Sequence, residues 1–171
     1  MSRLLLPFEH DPHVPQCATE NALLQHLARL PRRVQQIFLL SRLDQLGIAD
    51  IAQRLDLPLA AVERHLLQAL DSARPRGDQL AGVAGRWYVR LQSPQVTTCE
   101  RIDFRRWLDA SPQHLHAFRQ TELRWRALLA PARHLGADGW YRHGRAAFSL
   151  GGCSVALVLG VAAALALGLL A

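Results

Sequence analysis

The sequence predicts an all-α protein in three parts: a four-helix module containing a helix-turn-helix, a three-helix unit, and a single C-terminal transmembrane helix. Three observations carry this. From Thr19 to Leu128 the apolar residues recur at i, i+3 and i+4, the period of one-sided helices, with proline or capping residues at the breaks. The stretch from Phe38 to Leu70 divides into two short helical patterns around Asp56-Leu57-Pro58. Finally, Ala146 to Ala171 contains no charged residue.

Composition narrows the classes of function. Half of the 171 residues are apolar, and much of that content lies in residues 146–171. The formal charge of +6 is carried by arginine alone, since the chain contains no lysine. The planar guanidinium fork suits phosphate and carboxylate, so nucleic acid, RNA polymerase and anionic lipid are the partner classes expected. Cys17, Cys99 and Cys153 are far apart and odd in number, which indicates neither a disulfide framework nor a zinc site. No Gly-rich phosphate loop, HExxH, GxSxG or carboxylate cluster occurs, so neither catalysis nor a cofactor is expected.

In chain order, residues 1–18 read as a loose arm interrupted by Pro7, Pro12 and Pro15. His10 and His13 have metal-compatible spacing there but no carboxylate-rich or cysteine partner set, so no metal site is expected. Residues 19–74 form the first module. Leu23, Leu24, Leu27 and Leu30 make one face, ending at Pro31, and Val34, Ile37, Phe38 and Leu40 make the next. Ile48, Ile51, Ala52 and Leu55 follow, then Val62, Leu66, Ala69 and Leu70. Between these last two helices Asp56 tolerates a left-handed backbone, and Pro58 suits a first helical turn.

The wording of this module resembles region 4 of bacterial extracytoplasmic-function sigma factors, in particular the iron-transport, FecI-like group. Arg32-Arg33-Val34, Ile37-Phe38-Leu39-Leu40-Ser41-Arg42, Asp50-Ile51-Ala52-Gln53-Arg54-Leu55 and Val62-Glu63-Arg64-His65-Leu66 fall in that family's order and spacing. The resemblance implies a second helix that enters the major groove at the promoter −35 element. By position its outward side chains are Ala60, Ala61, Glu63, Arg64 and Gln68, with Arg54 nearer the DNA backbone. Gln45 and Asp56 stand where the family usually has glycine, and Gly47 where it often has a serine cap. Two alanines cannot make bidentate base contacts, so a helix pair used only as a protein-binding surface is the alternative. The N-terminal region of a complete sigma factor does not precede the module in this sequence, and transcription initiation by this chain alone is not expected.

Residues 75–78 read as a linker and residues 79–130 as the second unit. Leu80, Val83, Ala84, Trp87, Tyr88 and Leu91 line its first helix, which stops before Pro94. Thr97 with Glu100 is a capping box for the second helix, which carries Ile102, Phe104, Trp107 and Leu108. Ser111-Pro112 starts a third, running through Leu115, Phe118, Leu123, Trp125 and Leu128 toward Pro131. His114 and His116 face different directions on a helix, so His114 is expected to face solvent or cap the turn. Ala84-Gly85-Arg86-Trp87-Tyr88-Val89-Arg90-Leu91-Gln92-Ser93, Phe104-Arg105-Arg106-Trp107-Leu108 and Ser111-Pro112-Gln113-His114 resemble the cytoplasmic N-terminal domain of FecR-type anti-sigma regulators. The resemblance implies binding to a sigma factor, with Trp87, Trp107, Phe118 and Trp125 as its large contacts, each an equal candidate for internal core.

Residues 131–145 read as a juxtamembrane linker, and residues 146–171 as the transmembrane helix. That run could extend roughly 39 Å, beyond a bilayer core of about 30 Å. Gly151-Gly152, Gly160 and Gly168 permit close helix packing. Arg142, His143 and Arg145 with Trp140 and Tyr141 set a basic, aromatic belt before it, which predicts a single-pass bacterial inner-membrane protein with a cytoplasmic N-terminus. FecR-type regulators continue into a periplasmic signal-receiving domain, which cannot be read in this sequence.

The function expected is a membrane-tethered transcription regulator whose anti-sigma-like unit binds a sigma region 4 in cis or in trans. Its expected partners are promoter DNA, RNA polymerase or a separate extracytoplasmic-function sigma factor, the inner membrane, and an outer-membrane receptor pathway. The alternative is a membrane-anchored helix-turn-helix protein independent of sigma factors.

Overall fold

The computed structural model describes residues 13–74 and 77–143, with side chains described from Glu20 onward. The transmembrane expectation for residues 146–171 and most of the N-terminal arm lie outside the described residues. Among those described, no helix is long and apolar enough to cross a membrane. Every regular element among the described residues is helical: α1 (His13–Ala28), α2 (Arg32–Arg42), α3 (Ile48–Leu55), α4 (Leu59–Ser72), α5 (Gln79–Arg90), α6 (Thr98–Asp109), α7 (Pro112–Ala127), α8 (Leu129–Leu135) and a 3₁₀ turn (Trp140–Arg142).

Helix α2 is the central element. Each position from Val34 to Leu40 is buried, so the helix is covered on all sides rather than on the single face its apolar period predicted. α3, α4, α8 and the 3₁₀ turn all pack on it. Burial of Gln35 and Gln36 is tolerated because both amides are bonded. The Gln35 Nε2 donates to the carbonyls of Ala28 and Leu30, each at 2.9 Å, and so satisfies free groups at the end of α1.

The helix-turn-helix is closed by local geometry. Asp56 adopts φ 51° and ψ 57°, and the Leu57 N–H reaches back to the Ala52 carbonyl at 2.9 Å. Gln45, at φ 54°, makes the same reversal after α2, with the Leu46 N–H on the Leu40 carbonyl at 3.2 Å. Both positions thus carry a side chain where the backbone favours glycine. Replacing either residue with glycine is expected to raise stability by about 0.5 kcal/mol in urea denaturation. Pro58 does not enter the first turn as expected. It is the extended cap, and α4 begins at Leu59.

In the second unit the local signals act where they stand in the sequence. Asp78 caps α5 by accepting the Ala81 N–H at 2.9 Å. Thr97 and Glu100 form a reciprocal capping box on α6, and Ser111 with Pro112 starts α7. Two boundaries differ from expectation. α1 begins at His13, six residues inside the arm expected over 1–18, with Pro15 in its first turn where a missing N–H has no partner to lose. In the segment expected as a juxtamembrane linker, 131–145, the described residues 131–143 form most of α8 and the 3₁₀ turn; α8 folds back on α1 and α2, and the turn on α2. Gly136 permits this, since a Cβ there would lie 2.8 Å from Leu43 Cδ1 and 3.0 Å from Tyr141 Cε1.

The two expected units therefore share one core. Val89, Trp125, Leu128, Ala132 and Tyr141 of the second half are buried in the same cluster as Leu27, Phe38, Leu66 and Leu70 of the first. Packing of this extent removes more apolar surface than a unit of fifty residues achieves alone.

Candidate nucleic-acid interface

Helix α4 presents Ala60, Arg64 and Gln68 as an exposed stripe at i, i+4 and i+8. Ala61 beside it is half-buried. Glu63 is turned toward the second half, where Arg90 Nη1 lies 3.2 Å from its carboxylate. The same guanidinium holds Glu100, Nε to Oε1 at 2.8 Å. That bond, with the N–H of Thr97, lowers the Glu100 carboxyl to about 2. Arg90 thus joins α4 to the capping box of α6.

Arg54, in the last turn of α3, is also engaged. Its Nη2 donates to the Arg142 carbonyl at 2.7 Å. Arg142 in turn pairs with Asp44, Nη2 to Oδ1 at 2.8 Å, and the Tyr141 hydroxyl donates to that oxygen at 3.0 Å. The Arg142 hydrogen bond leads the causes that hold the Asp44 carboxyl below the usual carboxylate range. Gln36 completes the attachment, donating to the carbonyls of Tyr141 at 3.0 Å and His143 at 2.9 Å. Arg32 lies over the Trp140 ring, 3.2 Å from its centroid. Burial, followed by the neighbouring Arg64 charge, pushes the His65 imidazole below its ordinary value.

Of the aromatic residues expected to contact a sigma factor, Trp125 is 8% exposed and meets Phe38 of the first module edge-on, with centroids 5.6 Å apart. Trp87, Trp107 and Phe118 are half-buried. A chain of ring contacts runs from Trp87 through Phe104, Phe118 and Tyr88 to Trp125 and Phe38. His114 is half-buried and caps the turn between α6 and α7, one of the two placements expected for it. It stacks on Trp107 at 4.7 Å, and its Nδ1 lies 2.6 Å from the Trp107 carbonyl. No group of residues able to hold a metal ion occurs among the described residues.

The structure thus brings Ala60, Arg64 and Gln68 together on one open face, and ties Glu63 and Arg54 to the second half. Sequence reasoning missed Gln36, Asp44 and Arg90 as the groups that make the ties. A pair of amides inside an apolar helix, Gln35-Gln36, was a readable signal of buried polar bonding. Asp44 and Arg90 carried none.

The fold and the turn geometry define a helix-turn-helix protein with an arginine on its open face. More narrowly, residues 20–72 match the family described as Sigma-70, region 4. That match covers the helix-turn-helix half of the described residues and is consistent with a sigma-factor-like module of the kind that binds DNA and polymerase. Residues 84–123 match a second family, described as Domain of unknown function (DUF4880). Searches of curated proteins and of solved structures returned no match.

Proposed function

We propose that this protein is a membrane-tethered transcription regulator in which the sigma region 4 module is held closed in cis by an anti-sigma-like unit of FecR type. The observation that carries the reading is the shared core, in which Trp125, Leu128 and Tyr141 pack against the module they would regulate. Two of the six positions expected at DNA are bonded to the second half instead, Glu63 to Arg90 of that unit and Arg54 to Arg142 beyond it. Covalent linkage keeps the local concentration of the two halves in the millimolar range or above, so each contact need contribute only modestly.

The apolar run 146–171, following the basic Arg142, His143 and Arg145, is the proposed single inner-membrane span, with a cytoplasmic N-terminus. Resemblance to the iron-transport group extends the proposal to signals from an outer-membrane receptor. The chain performs no catalysis in this reading.

A second reading is favoured by α6, which has no fully buried residue. Ile102 on α6 and Leu123 on α7 are 45% and 53% exposed. That surface suits action in trans on a separate extracytoplasmic-function sigma factor.

The test is promoter −35 DNA binding by the full chain and its Gln36→Leu variant, in which the turn Trp140–Arg142 leaves α2 and the Arg142 carbonyl no longer holds Arg54. About a tenfold gain in affinity is expected. Unchanged affinity sinks the cis reading. In the released variant, Arg64→Ala is expected to lower affinity and flatten its salt dependence by about one phosphate contact.

A further inference from the structure

A cavity of about 580 Å³ lies between α4, α5 and the first turn of α6, a volume in the range that takes small organic molecules. Its apolar lining comes from Leu67, Val83, Trp87 and Val89. Three arginines also border it: Arg64, Arg86 and Arg90. Arg90 holds both Glu63 and Glu100, which also line the cavity, so its charged lining carries a net charge of +1. Arg64 and Arg86 are exposed, and neither has an ion-pair partner among the described residues.

We propose that this cavity binds an amphipathic carboxylate, a monoanion on a flat apolar body, with Arg64 and Arg86 as its anion contacts and Trp87 as its aromatic partner. Each element of the ligand answers a feature of the site. The net charge of +1 favours a monoanion, and the forks of the two arginines outside ion pairs match a carboxylate with paired hydrogen bonds. Leu67, Val83, Trp87 and Val89 offer apolar contact that an amphipathic ligand uses and a fully hydrated ion such as free phosphate does not. An indole at the edge of the cavity favours a planar body over a branched one.

Binding is independent of the transcriptional reading. Where that reading also holds, Arg64 belongs to both sites, and ligand and DNA weaken one another by the same factor.

The experiment is isothermal titration of the full chain in lipid nanodiscs with 1-naphthoate, referenced to empty nanodiscs. The comparison ligand is 1-naphthalenemethanol, its neutral counterpart. Saturable binding of one naphthoate per chain is expected, about tenfold weaker for the alcohol and for Arg64→Gln/Arg86→Gln. Both substitutions fall at exposed positions, and circular dichroism melting checks that the fold is kept. The alcohol comparison uses the parent chain and does not depend on that check. Absence of saturable naphthoate binding overturns the proposal, and so does equal binding of acid and alcohol or of parent and double variant.

Discussion

Trp125→Ala is expected to destabilise the protein by about 3–5 kcal/mol, the cost of removing a large aromatic side chain from a packed interior. Its effect should not be confined to the second half. The indole lies between Phe38 of α2 and Tyr88 of α5, with centroids at 5.6 and 5.8 Å, and the Arg42 guanidinium stands 5.7 Å from its own centroid. Arg42 also donates to the Arg126 carbonyl at 3.3 Å, so the same side chain ties α2 to the end of α7. The cavity left by alanine would open between the halves, where no single helix can move to fill it. Far-ultraviolet dichroism in urea should report one transition for the parent and a lower midpoint for the variant. Two separate transitions in the parent, with only one of them moved by the substitution, would contradict a shared core.

Gln36→Leu is expected to cost about 3 kcal/mol although leucine is the more apolar residue. Gln36 is 1% exposed. Its amide donates to the carbonyls of Tyr141 and His143, and its oxygen accepts from Arg33 Nη1 at 3.0 Å. Leucine leaves those carbonyls without their donor and the guanidinium with only its bond to the Leu55 carbonyl, in a place water does not reach freely. The structure can answer only by releasing the turn Trp140–Arg142 from α2. Faster amide hydrogen exchange over residues 139–143, together with a lower urea midpoint, is the expected result. Retained protection there at a lower midpoint would place the cost elsewhere. Arg142→Ala offers the contrast. Its guanidinium is exposed, so solvent screens its pair with Asp44 and the pair contributes little, and the turn should remain docked through Gln36 and the buried Tyr141.

The legible parts of the fold are those decided within a few residues. Thr97 and Glu100 could be read as a capping box because both partners lie in one turn, and Asp56 as a reversal because the left-handed region tolerates few residue types. The open stripe of Ala60, Arg64 and Gln68 could be placed by helical period, since i, i+4 and i+8 share a face. Trp140-Tyr141-Arg142 could not be placed in the same way. Aromatic and basic residues before an apolar run fit a membrane interface, and they fit equally a turn that returns to the protein. The choice rests on Gln36, Asp44 and Arg32, about a hundred positions earlier in the chain.

By itself, then, the sequence determined an all-helical chain, most of its helix ends, and the helix-turn-helix, because period, capping and turn chemistry act over short separations. Only the tertiary structure decided that α8 and the final turn fold back, that Trp125 belongs to the same core as Phe38, and that Arg54 and Glu63 are bonded rather than free. Those outcomes depend on complementary surfaces far apart in the chain. An apolar helical stripe shows that a helix must be covered, but not by which helix.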